Sequence, residues 1–197
     1  MFIIRGENME ILVTRHGETE WNALGKLQGQ TDIELNDIGR KQAKETGKLI
    51  KDENIDLIIT SPLKRAVETA KIINTNFKVN IVEDDRLMER KYGESEGLTK
   101  EERKKLKETN LEINDIWNYN KNIDFNGIET MNDFCSRIYK FLDDIVEKYR
   151  DKKILLVTHA GVSVPIKCYF MKYPLENLKD REVIKGLKNC EIIKFKM

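Results

Sequence analysis

Three short apolar runs limit what this chain can fold into. Residues 11–14 (Ile-Leu-Val-Thr), 57–60 (Leu-Ile-Ile-Thr) and 154–158 (Ile-Leu-Leu-Val-Thr) show no polar alternation. Strands of that kind are covered on both faces, as in a parallel sheet flanked by helices. The stretches between them carry helical patterns. One starts at Asn36 or Asp37 and runs to about Lys51. Ser61-Pro62 reads as an N-cap followed by proline at the first helical position, opening a helix through Ile73. Met131, Phe134, Cys135, Ile138, Phe141, Leu142, Ile145 and Tyr149 recur at three- and four-residue steps, the buried stripe of a long amphipathic helix. Residues 79–83 and 190–195 are further strand candidates, the second alternating like an edge strand. Strand and helix alternate, which predicts an α/β class with a mostly parallel sheet.

With 197 residues, 40% of them hydrophobic, the chain can bury one sizeable core. No repeat or Pro/Gly/Ser linker divides it, so a single domain over residues 1–197 is expected. The 35 basic and 34 acidic residues leave a net charge of +1, so no global field draws nucleic acid or an anionic membrane, and neither is expected as a partner. No run approaches the length of a membrane span, and residues 1–8 lack an apolar leader. They read as a loosely held extension, and a cytoplasmic location is expected. Cys135, Cys168 and Cys190 are odd in number and scattered, which predicts buried thiols in a reducing compartment.

In open α/β sheets, ligands bind at the carboxyl ends of the strands. The first run leads directly into Arg15-His16-Gly17, and the second places Arg65 in the first turn of the following helix. The late run ends in His159-Ala160-Gly161, and His16 and His159 are the only histidines in the chain. A lone buried histidine is ordinarily a satisfied core residue. Two of them at equivalent strand ends, beside Arg15 and Arg65, point instead to a phosphoryl pocket. Arginine offers a planar fork that matches phosphate oxygens, and N–H groups at a helix start add to an anion site. Histidine can serve as a covalent nucleophile. HExxH, HxH and Cys/His clusters are missing from the sequence, as is a Walker signature, so no metal or other cofactor is expected and a P-loop NTPase is disfavoured.

The run Leu12-Val13-Thr14-Arg15-His16-Gly17-Glu18-Thr19-Glu20-Trp21-Asn22 resembles the signature of the histidine phosphatase superfamily, the phosphoglycerate-mutase-like proteins. The resemblance continues through Leu27-Gln28-Gly29-Gln30-Thr31-Asp32, Leu35-Asn36-Asp37-Ile38-Gly39-Arg40 and Ser61-Pro62-Leu63-Lys64-Arg65-Ala66. It extends to Glu89-Arg90-Lys91-Tyr92-Gly93 with Glu96-Gly97, Gly127-Ile128-Glu129-Thr130 and Val157-Thr158-His159-Ala160-Gly161-Val162, in family order. It implies a three-layer α/β/α domain with a small cap at about residues 83–126. It also implies that His16 is phosphorylated on one ring nitrogen while the other bonds a backbone carbonyl. Arg15, Arg65 and His159 would surround the phosphoryl oxygens, with Asn22, Gln28, Gly29 and Ala160 among the substrate contacts. Glu89 matches the family's proton donor, and Glu129 is the runner-up acid.

Glu18 and Glu96 read as solvated or paired carboxylates, and Trp21 as packing. Opposite charges four apart in residues 100–108 predict an exposed helix, with Lys100 a possible substrate lysine by the same resemblance. The function implied is hydrolysis of a small phosphorylated metabolite, of sugar phosphate or phosphoglycerate type. Cofactor-dependent mutases of the family typically carry His-Gly-Asn where this chain has His159-Ala160-Gly161. They also carry a paired-arginine insertion where this chain has Trp117-Asn118-Tyr119-Asn120. Mutase activity is therefore the alternative, and a non-catalytic phosphate-binding module the third reading.

Overall fold

The computed structural model describes residues 9–105, 118, 121, 123, 127–174 and 185–197. The expected extension at residues 1–8, the 106–108 end of the charged helix, Trp117, Tyr119 and Asn120 lie outside the described residues. The elements are β1 (Glu10–Arg15), α1 (Glu20–Ala23), α2 (Asp37–Leu49), β2 (Leu57–Thr60), α3 (Lys64–Asn74) and β3 (Asn80–Glu83). They continue with α4 (Lys100–Lys105), α5 (Met131–Lys148), β4 (Lys153–Thr158), α6 (Ala160–Met171) and β5 (Ile192–Lys196). The sheet order is β3-β2-β4-β1-β5, parallel throughout except β5, which runs antiparallel to β1 at the edge.

Strand side chains alternate between two cores, as the pleat requires. Ile11, Val13, Leu57, Ile59, Ile154 and Leu156 cluster with Phe134, Ile138, Phe141 and Leu142 of α5 and Ile166 of α6. Leu12, Ile58, Leu155 and Val157 cluster with Ala66, Ala70 and Ile73 of α3. The result is three layers, helix on sheet on helix. Each fully buried aliphatic side chain contributes on the order of 1.5–3 kcal/mol, so these two clusters hold the strand ends in fixed relation. Asn36 caps α2 by accepting from Gly39 N at 2.8 Å, and Thr130 caps α5 by accepting from Asp133 N at 3.1 Å. Between β3 and α5 the chain leaves the sheet through 3-10 turns at Asp85–Leu87 and Gly93–Ser95. Tyr92, Ile123 and Ile128 form a small separate cluster there, with Leu27 against it.

Three local expectations need correction. Helix α3 begins at Lys64, and Ser61 is not its cap. Lys64 N donates to Asp32 Oδ1 at 2.8 Å, so a distant carboxylate covers that helix end. The last strand begins at Ile192, because Cys190 has a left-handed φ of 59° and its N–H bonds Arg15 O at 3.0 Å. All three cysteines are free thiols, but Cys190 is only half-buried. No helix among the described residues is long and apolar enough to cross a membrane.

Candidate active site

Strands β1 and β4 are neighbours in register, with Arg15 opposite Thr158. Their shared carboxyl end therefore brings His16 beside His159, the two rings lying 5.2 Å apart between centroids. His16 is 2% exposed, and its Nδ1 lies 2.7 Å from Gly17 O. A carbonyl can only accept, so Nδ1 carries the proton of the neutral ring and Nε2 keeps a bare lone pair. Burial, followed by the charges of Arg15 and Arg65, holds the His16 pKa well below its ordinary 6.5. The backbone is pinned as well: His16 N donates to Thr158 O at 2.9 Å, and Gly17 N to Thr69 Oγ1 at 3.0 Å.

His159 is fully buried, its pKa also driven well below 6.5 by burial and then by Arg65. Its Nε2 lies 2.8 Å from Ser61 Oγ. Ser61 Oγ also accepts from Leu63 N at 3.4 Å. The serine expected as a helix cap thus holds the His159 ring in place instead.

Arg65 is fully buried on the first turn of α3, with Nη1 donating to Thr31 O at 2.8 Å and Nη2 to Gly29 O at 2.6 Å. Burial lowers its pKa to about 10, and the charges of Glu89 and Asp32 oppose that fall. Arg15 donates Nη1 to Leu187 O at 3.2 Å. The buried Nε of Arg15 and Nε of Arg65 have no hydrogen-bond partner, nor does Nδ1 of His159. Buried donors are normally paired, and two guanidinium N–H groups left unpaired beside His16 suit an anion with several acceptor oxygens.

Glu89 is 8% exposed; its Oε1 accepts from Arg90 N at 2.9 Å and its Oε2 from Gly161 N at 3.0 Å. Glu129, the alternative acid, is committed to a two-pronged pairing with Arg137, whose Nε and Nη2 lie 2.6 and 3.0 Å from its oxygens. Asn22 Oδ1 accepts from Thr19 N and from Asn189 Nδ2, and the latter also donates to His16 O at 2.9 Å. Gly29 presents its carbonyl to Arg65, while Ala160 opens α6 directly after His159.

A family model described as "Histidine phosphatase superfamily (branch 1)" matches residues 11–197. The chain belongs to that superfamily. Over 151 residues it is 43% identical to "Uncharacterized phosphatase PhoE" of Bacillus subtilis, covering 77% of this chain and 72% of that one. It is 34% identical over 163 residues to "Metal-independent phosphoserine phosphatase" of Arabidopsis thaliana, covering 81% and 67%. Among solved structures, "Bacillus stearothermophilus YhfR" superposes with a TM-score of 0.84 at 27% identity, covering 94% of this chain and 90% of that one. This histidine phosphatase is accordingly an enzyme of the phosphatase type.

Several residues that shape the histidine phosphatase site escaped the sequence reading. Asn189 carried no motif signal. Gly39 did, yet its use is steric: a Cβ there would come within 2.1 Å of Glu18 O, directly after the His16-Gly17 turn. Glu18 itself accepts from Asn36 Nδ2 at 2.9 Å, which bears out its reading as a paired carboxylate. Glu96 is paired too, with more partners than that reading implied. Trp21 packs against Gly97, and among the described residues no group of three or more metal-ligating side chains comes together.

Proposed function

We propose that this enzyme hydrolyses small phosphate monoesters, of sugar phosphate, phosphoglycerate or phosphoamino-acid type, through a phosphohistidine at His16. The observation that carries the proposal is the orientation of His16. A neutral imidazole with Nδ1–H fixed on Gly17 O leaves Nε2 as an unprotonated nucleophile between two guanidiniums. In the first step Nε2 forms the N–P bond as the ester P–O bond breaks, and Glu89 gives its proton to the leaving oxygen. In the second, Glu89 takes a proton from water, the water oxygen bonds phosphorus, and the N–P bond breaks. Arg15, Arg65 and His159 stabilise the charge on the equatorial oxygens in both transfers. Asn22, Gln28, Gly29 and Ala160 line the approach, and the region at about 83–126 acts as the cap that selects the alcohol. Free thiols at all three cysteines suit a reducing, cytoplasmic setting.

The test is a rapid alkaline quench of enzyme mixed with labelled para-nitrophenyl phosphate. An acid-labile, base-stable phosphate should appear on His16, and His16→Ala should show neither label nor turnover. Activity should persist in EDTA, and added 2,3-bisphosphoglycerate should not make phosphoglycerate interconversion outrun phosphate release. Turnover by His16→Ala at a rate close to the native enzyme's would overturn the covalent route.

A further inference from the structure

Arg65 does not fix its own direction. Both terminal nitrogens of its guanidinium donate to carbonyls of a loop, Gly29 O at 2.6 Å and Thr31 O at 2.8 Å, so the plane of the fork follows the loop backbone. That loop is irregular, with Gly29 at φ 53°, and no sheet or helix ladder holds it. Glu96 does. Its Oε1 accepts from Gln30 N at 3.2 Å and from Tyr92 N at 2.9 Å. Its Oε2 accepts from Thr31 N at 2.9 Å and from Thr31 Oγ1 at 2.5 Å. Three of these four donors belong to the two residues that follow Gly29. A Cβ on Gly29 would come within 2.1 Å of Glu96 Oε1, so the glycine is what lets the carboxylate reach the loop. Gln30 Nε2 in turn donates to Glu89 O at 3.0 Å, tying the same loop to the other side of the site.

We infer that Glu96 is a positioning residue, setting the orientation of the Arg65 guanidinium through the backbone of residues 29–31. This rests on the reading of Arg65 as a phosphoryl-binding donor. A carboxylate serving four donors is not a solvated surface charge, since each lone-pair direction is used and loss of the acceptor strands N–H groups. Its charge also counters the effect of burial on Arg65. Chemistry is sensitive to such support: a misplacement of about 1 Å by a distant residue can lower the rate by about 10²-fold.

The test is a double-mutant cycle of Glu96→Gln and Arg65→Ala, read by kcat/KM on para-nitrophenyl phosphate, by inhibition with vanadate, and by thermal midpoint. Glu96→Gln turns an NH2 group toward N–H donors. It should lower kcat/KM by about 10²-fold and weaken vanadate binding in the native background. In the Arg65→Ala background the same substitution should change kcat/KM by no more than a few-fold. If Glu96→Gln fails to fold, Thr31→Val, which removes one of the four donors, carries the same cycle with a smaller expected effect. An equal loss in both backgrounds, or unchanged vanadate inhibition in Glu96→Gln, would overturn the inference alone. A fully active Arg65→Ala would overturn the reading of Arg65 beneath it.

Discussion

Gly161 and the Glu89 carboxylate occupy one volume. A Cβ on Gly161 would approach Glu89 Oε1 to 2.4 Å, while the Gly161 N–H donates to Oε2. Gly161→Ala therefore displaces the proposed proton donor without removing any polar group. Alanine is the better helix former by up to about 1 kcal/mol, so α6 should persist. The expected outcome is a loss of about 10²-fold in single-turnover phosphorylation by an alkyl phosphate, the low end of what a general acid contributes. Para-nitrophenyl phosphate should suffer far less, because its phenolate departs without a proton. Equal losses on both substrates would mean that Glu89 orients rather than donates. At this scale the sequence named candidate residues for the site but not their partners. Ser61 was legible as a motif residue and misassigned as a cap, because nothing local reveals that a histidine 98 positions later takes its hydroxyl.

The helices that follow β2 and β4 each receive a carboxylate from elsewhere in the chain. Asp32 Oδ1 accepts from Lys64 N at the start of α3, and Glu89 Oε2 from Gly161 N at the start of α6. Carboxylates at helix N-termini satisfy orphan N–H groups and interact favourably with the helix dipole. The two caps differ in consequence from the serine that precedes α3. Asp32→Ala should destabilise the fold by about 1 kcal/mol, as loss of a side-chain cap typically does. Ser61→Ala should leave the urea midpoint close to native and lower kcat, since the His159 ring loses the hydroxyl that holds its Nε2. Urea titration and steady-state kinetics on the two variants check both outcomes; the reverse pattern would restore Ser61 as the cap. The strands, the extent of α2 and the buried face of α5 were legible in advance, because burial leaves its mark on the apolar pattern. The start of α3 was not, because its cap lies 32 residues away.

Folding buries two imidazoles beside two guanidiniums, and this gives the whole molecule a pH signature. Burial first and the arginine charges second hold His16 and His159 well below 6.5. Between that lowered value and 6.5 the unfolded chain binds more protons than the folded one. Stability is therefore fully present above 6.5 and falls as pH drops through the window, by up to about 1.4 kcal/mol per pH unit for each imidazole. Urea midpoints between about pH 5 and 6.5 should show this slope, reduced in His159→Gln. A flat profile would contradict neutral buried histidines. The sequence by itself determined the layered α/β plan, the strand ends where Arg15, His16 and His159 stand, and the helix that carries Arg65. The strands and their ends follow from continuous apolar runs, because hydrophobic burial is non-directional enough to be read along the sequence, and the Arg65 helix follows from the proline before it. Only the tertiary structure decided which polar atoms meet: Asp32 at Lys64 N, Ser61 at His159, Glu96 on the 29–31 loop, Arg137 on Glu129 and Asn189 on His16 O. Hydrogen bonds are short and directional, so their partners are chosen by where distant segments come to rest, in the last case 173 residues apart.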